Sequence, residues 1–293
     1  MYNSSNIRDL LKTFLVTCII VVSCHMAYGQ DLSEYVSTDE PAPIVMNKAF
    51  AGVYAGNGQS TTLIGKNELM MNISHRFGKI NGGIYEMFGL DQATMRMGFD
   101  YGITPWLMAG FGRSTWEKNW DVHLKSRIVS QTNPGFPLTV AVHGQAGYNS
   151  VRNIFPSDKD NLAGRMSYTA QTLISRKFKR FSVQAAPIYL LTAYDPILAD
   201  KADMFSVGLA TSIKITKRMD IVAEYYAGIV KSDASIKNPL TFSLDLDTGG
   251  HLFQLVLSNS QGMFDKALLL NTTDSWSEGG IYFGFNLIRI FNL

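Results

Sequence analysis

A period of two, repeated along most of the chain, restricts what this sequence can fold into more than any other feature. In the stretch that starts at Ala93, residues Ala93, Met95, Met97, Phe99 and Tyr101 are apolar, and Thr94, Arg96, Gly98, Asp100 and Gly102 fall between them. Alternation of this kind gives an extended strand one oily face and one polar face. Ile103, Thr104 and Pro105 form a short connection, and a second strand starts at Trp106 with Leu107, Ala109 and Phe111 on its oily side. The unit is a hairpin that is greasy on one side only.

Soluble sandwiches alternate as well, so the surroundings of each face have to be decided. A secretory leader precedes the strands, and aromatic residues such as Tyr101, Trp106, Trp116 and Trp120 stand at strand ends, where interfacial girdles sit. Both place lipid outside and water inside. The expected fold is all-β: a transmembrane antiparallel up-and-down β-barrel of about 12 strands, each of roughly 9 to 13 residues, a length that suits a tilted membrane strand.

Composition agrees. Hydrophobic residues make up 46% and charged residues 17% of the chain, too apolar for a disordered chain and too polar for a bundle of membrane helices. Beyond the leader no apolar run approaches the roughly 18 residues of a spanning helix. A closed barrel is the other way to cross a bilayer. The formal charge is +2, and a leader with Arg8, Lys12 and Asp9 takes two from the 26 basic residues and one from the 24 acidic ones. That balance implies no nucleic-acid or polyanion partner.

Three parts divide the chain: a signal peptide over 1–29, an N-terminal segment over 30–66 and the barrel over 67–293. The leader has Arg8 and Lys12 as its positive part, Phe14 to Ser23 as its apolar core and Ala27-Tyr28-Gly29 as a small-x-small cleavage site. Val21-Val22-Ser23-Cys24 is a competing lipoprotein box, which would leave Cys24 acylated. Cys18 and Cys24 both lie in the leader, so the mature chain carries no disulfide. Residues Asp31 to Lys66 show no sustained period and are expected on the periplasmic side or inside the lumen.

From Asn67 onward the strands come at regular intervals, with short turns and long loops alternating. The loop from Lys79 to Gln92 carries Ile84, Tyr85, Met87, Phe88 and Leu90 and is expected to fold back and narrow the pore. Asn149 to Leu162 and Thr192 to Ala202 are read as further long loops, and Pro187 as a bulge or an end of regular pairing. The last loop, Ser260 to Gly279, holds a helical turn around Phe264 to Leu270. The closing strand, Ile281 to Leu293, ends in aromatics of the kind the barrel-insertion machinery binds.

The inward positions define the candidate site: Glu68, Arg76, Arg96, Asp100, Asp121, His123, Lys125, Arg127, His143, Arg165, Lys214, Asp220, Glu224, Asp245 and Asp247. One reading is a narrow channel for a small polar solute, with opposed charges orienting it. The other is that these groups pair with one another and fill the barrel, leaving an occluded structural or assembly barrel that docks envelope partners, because an unpartnered buried ion costs several kcal/mol.

An envelope lipid enzyme would need serine and histidine together on the lipid-facing surface, but Ser126 falls on the oily face while His123 and His143 fall on the other. No catalytic residue is therefore expected. His123, His143 and Asp121 carry metal-ligand chemistry without a ligand-spacing signature, so no metal is assigned. Gly98, Gly102, Gly110 and Gly112 alternate inside strands rather than preceding a helix, and neither a Walker pattern nor a dinucleotide fingerprint occurs. No cofactor is expected; the expected surroundings are outer-membrane lipid.

The segments Ile73-Ser74-His75-Arg76-Phe77-Gly78, Phe88-Gly89-Leu90-Asp91, Tyr101-Gly102-Ile103-Thr104 and Gly112-Arg113-Ser114 resemble a family of β-barrel proteins of unknown function from Bacteroidota. The resemblance covers the chain from about Asn67 and is strongest before Lys125. It implies a barrel in the outer envelope of a Gram-negative cell, and it brings no established activity and no site residues.

Overall fold

The structure, a computed structural model, describes residues 44–46, 48–230 and 233–293. The leader, its cleavage site and the Cys24 lipoprotein box lie outside the described residues. Twelve antiparallel strands close into a barrel. They are β1 (Glu68–Lys79), β2 (Ala93–Thr104), β3 (Leu107–Ser114), β4 (Trp120–Val129), β5 (Thr139–Tyr148) and β6 (Met166–Lys177). The second half is β7 (Phe181–Asp195), β8 (Asp200–Lys214), β9 (Met219–Val230), β10 (Leu240–Asp247), β11 (His251–Ser258) and β12 (Tyr282–Asn292). Neighbours in sequence are neighbours in the sheet, and β12 pairs with β1 through Leu287↔Ile73 to close it. Closure leaves no sheet edge, which is what a lipid surround demands.

Side-chain direction follows the sequence period throughout. Leu124 and Lys125 are consecutive on β4, yet Leu124 is 57% exposed and Lys125 0%. Val122, Phe111, Leu209, Leu255 and Leu257 are likewise exposed on the outside, while Arg76, Arg96 and Asp121 are buried within. A water-soluble protein distributes these residue types the other way. The outer face suits hydrocarbon. Trp106 and Trp120 sit at opposite ends of this face, both exposed, and the Arg113 guanidinium lies over the Trp120 ring at 5.2 Å. His75 is also outward, stacked on Phe285 at 5.4 Å.

The barrel has two unlike ends. At the end shared by the start of β1 and the finish of β12, four of the connections are short turns, at 105–106, 178–180, 215–218 and 248–250. The opposite end carries longer loops, including 149–165, with its helical turn α1 (Leu162–Arg165), and 259–281, with helix α2 (Asp265–Leu270). The helix expected around Phe264 to Leu270 is present.

Three expectations need correction. Thr192 to Ala202 is not a long loop: β7 runs to Asp195 and β8 begins at Asp200, with Thr192 paired to Ala202. The ladder runs on to Asp200↔Asp195 across a register shift between Asp200 and Ala202. Pro187 produces neither a bulge nor a strand end. β7 pairs with β6 at Ile188↔Gln171 and again at Ala185↔Ile174, a constant register across the proline. The loop between β1 and β2 does not fold into the lumen. Ile84, Tyr85, Met87 and Phe88 are exposed, because positive φ at Gly83, Met87 and Phe88 turns the chain back over the strand ends.

The outward face generates a direct test. Leu255 pairs with Leu244 and Phe285 on the lipid side, and Leu255→Arg is expected to destabilise the barrel by about 2–4 kcal/mol. Urea titration of protein folded into lipid vesicles measures it.

Candidate functional site

Because the inward phase of each strand is fixed by its outward hydrophobic set, a slip of one residue would expose the whole polar set to lipid. The register therefore determines which groups meet inside. Arg96 and Asp100 come from β2, and Asp121, His123, Lys125 and Arg127 from β4, with the glycine-rich strand β3 between them. Gly98 and Gly112 lie opposite each other on β2 and β3. A side chain at either would occupy the space of the Arg96 guanidinium. That guanidinium crosses the glycines to reach Asp121, with Nη2 donating to Oδ1 at 2.6 Å and Nε to Oδ2 at 3.1 Å. His123 Nε2 meets Asp100 Oδ1 at 2.6 Å in the space left by Gly110. His143, on the neighbouring β5, lies 5.4 Å from the His123 ring and bonds Gln171 Nε2 through Nδ1 at 3.0 Å.

The lumen is occupied from both ends. From the short-turn end, residues 49–64 enter and are buried there, apart from the half-buried Ala51. Within this segment Tyr54 bridges Gln59, Ala55 N donates to the Gly58 carbonyl and Ser60 N to that of Val53, and the wall satisfies further backbone groups. Gly58 N donates to the Glu224 carboxylate at 2.9 Å, and Thr61 N donates to Gln184 Oε1 at 2.9 Å. Lys125 Nζ donates to the carbonyls of Val53, Ser60 and Thr62 at 3.2, 3.1 and 3.4 Å. Arg76 Nη2 donates to Asn57 Oδ1 at 2.6 Å, and Asn57 Nδ2 donates to Thr241 and Ser258. Gly58 approaches the wall so closely that a Cβ there would overlap the Tyr226 hydroxyl. Below this polar belt, Val53, Tyr54, Leu63 and Ile64 pack on Met70, Met108 and Ile288.

From the long-loop end, α2 enters, and all six of its residues are buried. Leu268, Leu269 and Leu270 pack on Ile188, Leu190, Ala202, Met204 and Tyr226. Asp265 accepts from the Thr169 hydroxyl at 2.6 Å. Lys266 reaches Glu117 in the β3–β4 turn and Asp195 at the end of β7, each at 2.8 Å. Burial works against the Lys266 ammonium, but these two carboxylates outweigh it and hold its pKa above the ordinary lysine range.

The remaining expected residues are placed as follows. Glu68 accepts from Gly65 N at 2.6 Å at the short-turn mouth, and Lys214 pairs with Asp220 there at 2.8 Å. Asp245 accepts from Gln254 at 3.0 Å, Asp247 accepts from Gly249 N, and Arg127 lies inward on β4. Arg165 is not a lumen residue. It stands in α1, where its guanidinium binds Asp160 and the carbonyls of Asn149 and Val151 and covers Phe155 at 4.5 Å, stapling the 149–165 loop. The sequence pattern starts this strand near Gly164, whereas it begins at Met166, two residues later. Ser126 lies on the outer face, opposite in phase to both histidines. Among the described residues, no group of three potential ligands that could hold a metal is assembled.

Several residues that shape the interior carry little sequence signal. Tyr54, Asn57 and Gly58 belong to a stretch without a period; its one clue is that Ala49 to Gly65 contains no charge. Ile188, Leu190 and Met204 are inward and apolar, so β7 and β8 are oily on both faces. That double-sided pattern marks where α2 docks.

Breaking the central pair should be costly and repairable. Arg96→Met is expected to destabilise the fold by about 3–5 kcal/mol, and adding Asp121→Leu to recover much of the loss. Denaturation of the single and double variants reads this out, and equal losses in both would contradict it.

A family model described as "Membrane bound beta barrel domain (DUF5777)" matches residues 50–291. Among solved structures, the NanC porin is similar at 13% identity and a TM-score of 0.47, over 77% of this chain and 100% of the porin. An outer-membrane channel from Pseudomonas putida F1 is similar at 9% identity and a TM-score of 0.44, over 78% of this chain and 97% of the channel. No match was found among curated protein sequences.

Proposed function

This chain belongs to the membrane-bound β-barrel family DUF5777, and from that premise we propose that it is an outer-membrane barrel closed at rest, a gated conduit for small polar solutes. The observation that carries this reading is how the lumen is filled. The wall's own Arg96, Asp100 and His123 fill the space over Gly98, Gly110 and Gly112, and the rest of the lumen is taken by a tethered segment and by a loop helix. Inward side chains alone fill a barrel of about eight strands; twelve enclose a wider lumen, and here two elements separate from the strands occupy the remainder and can move without unfolding the wall.

The polar contacts between wall and segment support the same reading. Hydrogen bonds to Lys125, Arg76 and Glu224 can be exchanged for bonds to water when the segment leaves, whereas buried apolar packing cannot. In this account outer-membrane lipid surrounds the outward face, the aromatic end of β12 is what the insertion machinery binds, and the Bacteroidota resemblance indicates the Gram-negative envelope. Catalysis is not part of the reading: Ser126 lies on the outer face, and His123 and His143 on the inner one.

Refolded protein in planar bilayers tests it. The intact chain is expected to pass only rare, brief currents, and a chain lacking 48–64 with 262–273 replaced by a glycine-serine linker to pass a steady ohmic current. Gly58→Trp, whose ring cannot share space with Tyr226, should give an intermediate current. A steady current from the intact chain would overturn the closed state. A folded double variant that passes nothing would instead favour an occluded platform that docks envelope partners.

A further inference from the structure

Outside the filled lumen, the short-turn end holds a cavity of about 180 Å³. Its lining includes Ala49 and Phe50 of the inserted segment and the buried Ser182 and Ser212. Six cationic side chains line it against three carboxylates. The carboxylates are already engaged: Asp220 with Lys214, Asp245 with Ser243 and Gln254, and Asp247 with the amide of Gly249. Lys177 donates to the Lys48 carbonyl at 2.8 Å. Among the described residues, Lys179, Arg180 and Arg218 have no ion-pair partner. These three stand on the turns 178–180 and 215–218, at the rim of the concavity.

An excess of positive charge in a concave site attracts an anion, and its low-dielectric walls strengthen that field. Guanidinium groups match the geometry of phosphate oxygens, and a dianion answers several cations at once where a single carboxylate would leave most of them unpaired. We propose that this vestibule binds the phosphate group of a small phosphorylated molecule, with Arg180 and Arg218 as its principal contacts and Lys179 as a further cation. The site is complete while the lumen is closed. Its occupancy therefore does not depend on the barrel conducting.

Calorimetric titration of inorganic phosphate into the intact chain, in uncharged detergent at constant ionic strength, tests the proposal. Wild type is expected to bind, and Arg180→Gln/Arg218→Gln to bind at least about tenfold more weakly. Lys217→Gln removes a cation from the same turn that does not line the cavity, and should stay within about twofold of wild type. Absence of binding by wild type, an unchanged double variant, or an equal loss in Lys217→Gln would overturn the proposal, the last by showing diffuse surface charge. Competition identifies the source of the phosphate. Displacement by glycerol phosphate supports a small phosphate monoester as the occupant, and displacement only by short-chain phosphatidylglycerol, a monoanionic phosphodiester, would overturn the proposal in favour of a lipid headgroup.

Discussion

Burying an ion inside this barrel is tolerable only where an opposite charge or a set of fixed dipoles meets it, and the rest of the structure follows from that constraint. Hydrocarbon surrounds the sheet, so the period of two sends most charges of the strands inward, while Arg113, Arg176 and Arg289 stay outward against aromatic rings. There they are removed from water as well, because the lumen is filled. Arg96 is answered by Asp121, His123 by Asp100, and Lys125 by three carbonyls that belong to a different part of the chain. The last case matters most. Without the inserted segment Lys125 would lose all three of these acceptors and be hydrated in an open pore. The segment and the wall thus complete each other, and the same contacts that close the barrel are ones that water can replace.

The two inserted elements are held in different ways. Residues 49–64 are bound mainly by hydrogen bonds along their backbone, with an apolar layer below. Helix α2 is bound by leucines on an oily patch and anchored by Lys266 between Glu117 and Asp195. Apolar burial is non-directional and lost only when the helix leaves its patch. The ion triad ties that helix to two separate turns at the long-loop end, so a movement of either turn bears on it.

Much of the barrel was legible in the sequence because the lipid face is a local signal: Leu124 and Val122 announce their orientation to any reader who counts by two. The same signal set the inward phase of Arg96, Asp121, His123 and Lys125. It was weaker where both faces are apolar. The segment from Thr192 to Ala202 read as loop, although β7 runs to Asp195 and β8 starts at Asp200; beside it the inward Ile188, Leu190 and Met204 are oily and receive α2. The contents of the lumen were hardest to see. Asn57 meets Ser258 across 201 positions of sequence, and Thr61 meets Gln184 across 123, and no periodicity encodes a partner so distant. Arg165 failed for a local reason: α1 ends the loop just before β6, so the arginine belongs to the loop and not to the ladder.

The central claim is that residues 49–64 lie inside the closed sheet. Thr61 Oγ1 and Ser175 Oγ are 2.6 Å apart, one on the segment and one on β6. In a chain lacking Cys18 and Cys24, Thr61→Cys/Ser175→Cys folded into lipid vesicles and then mildly oxidised is predicted to form an intramolecular disulfide, with neither thiol open to a polar maleimide beforehand. Failure to cross-link, with both thiols alkylated as fast as in unfolded chain, would contradict the account.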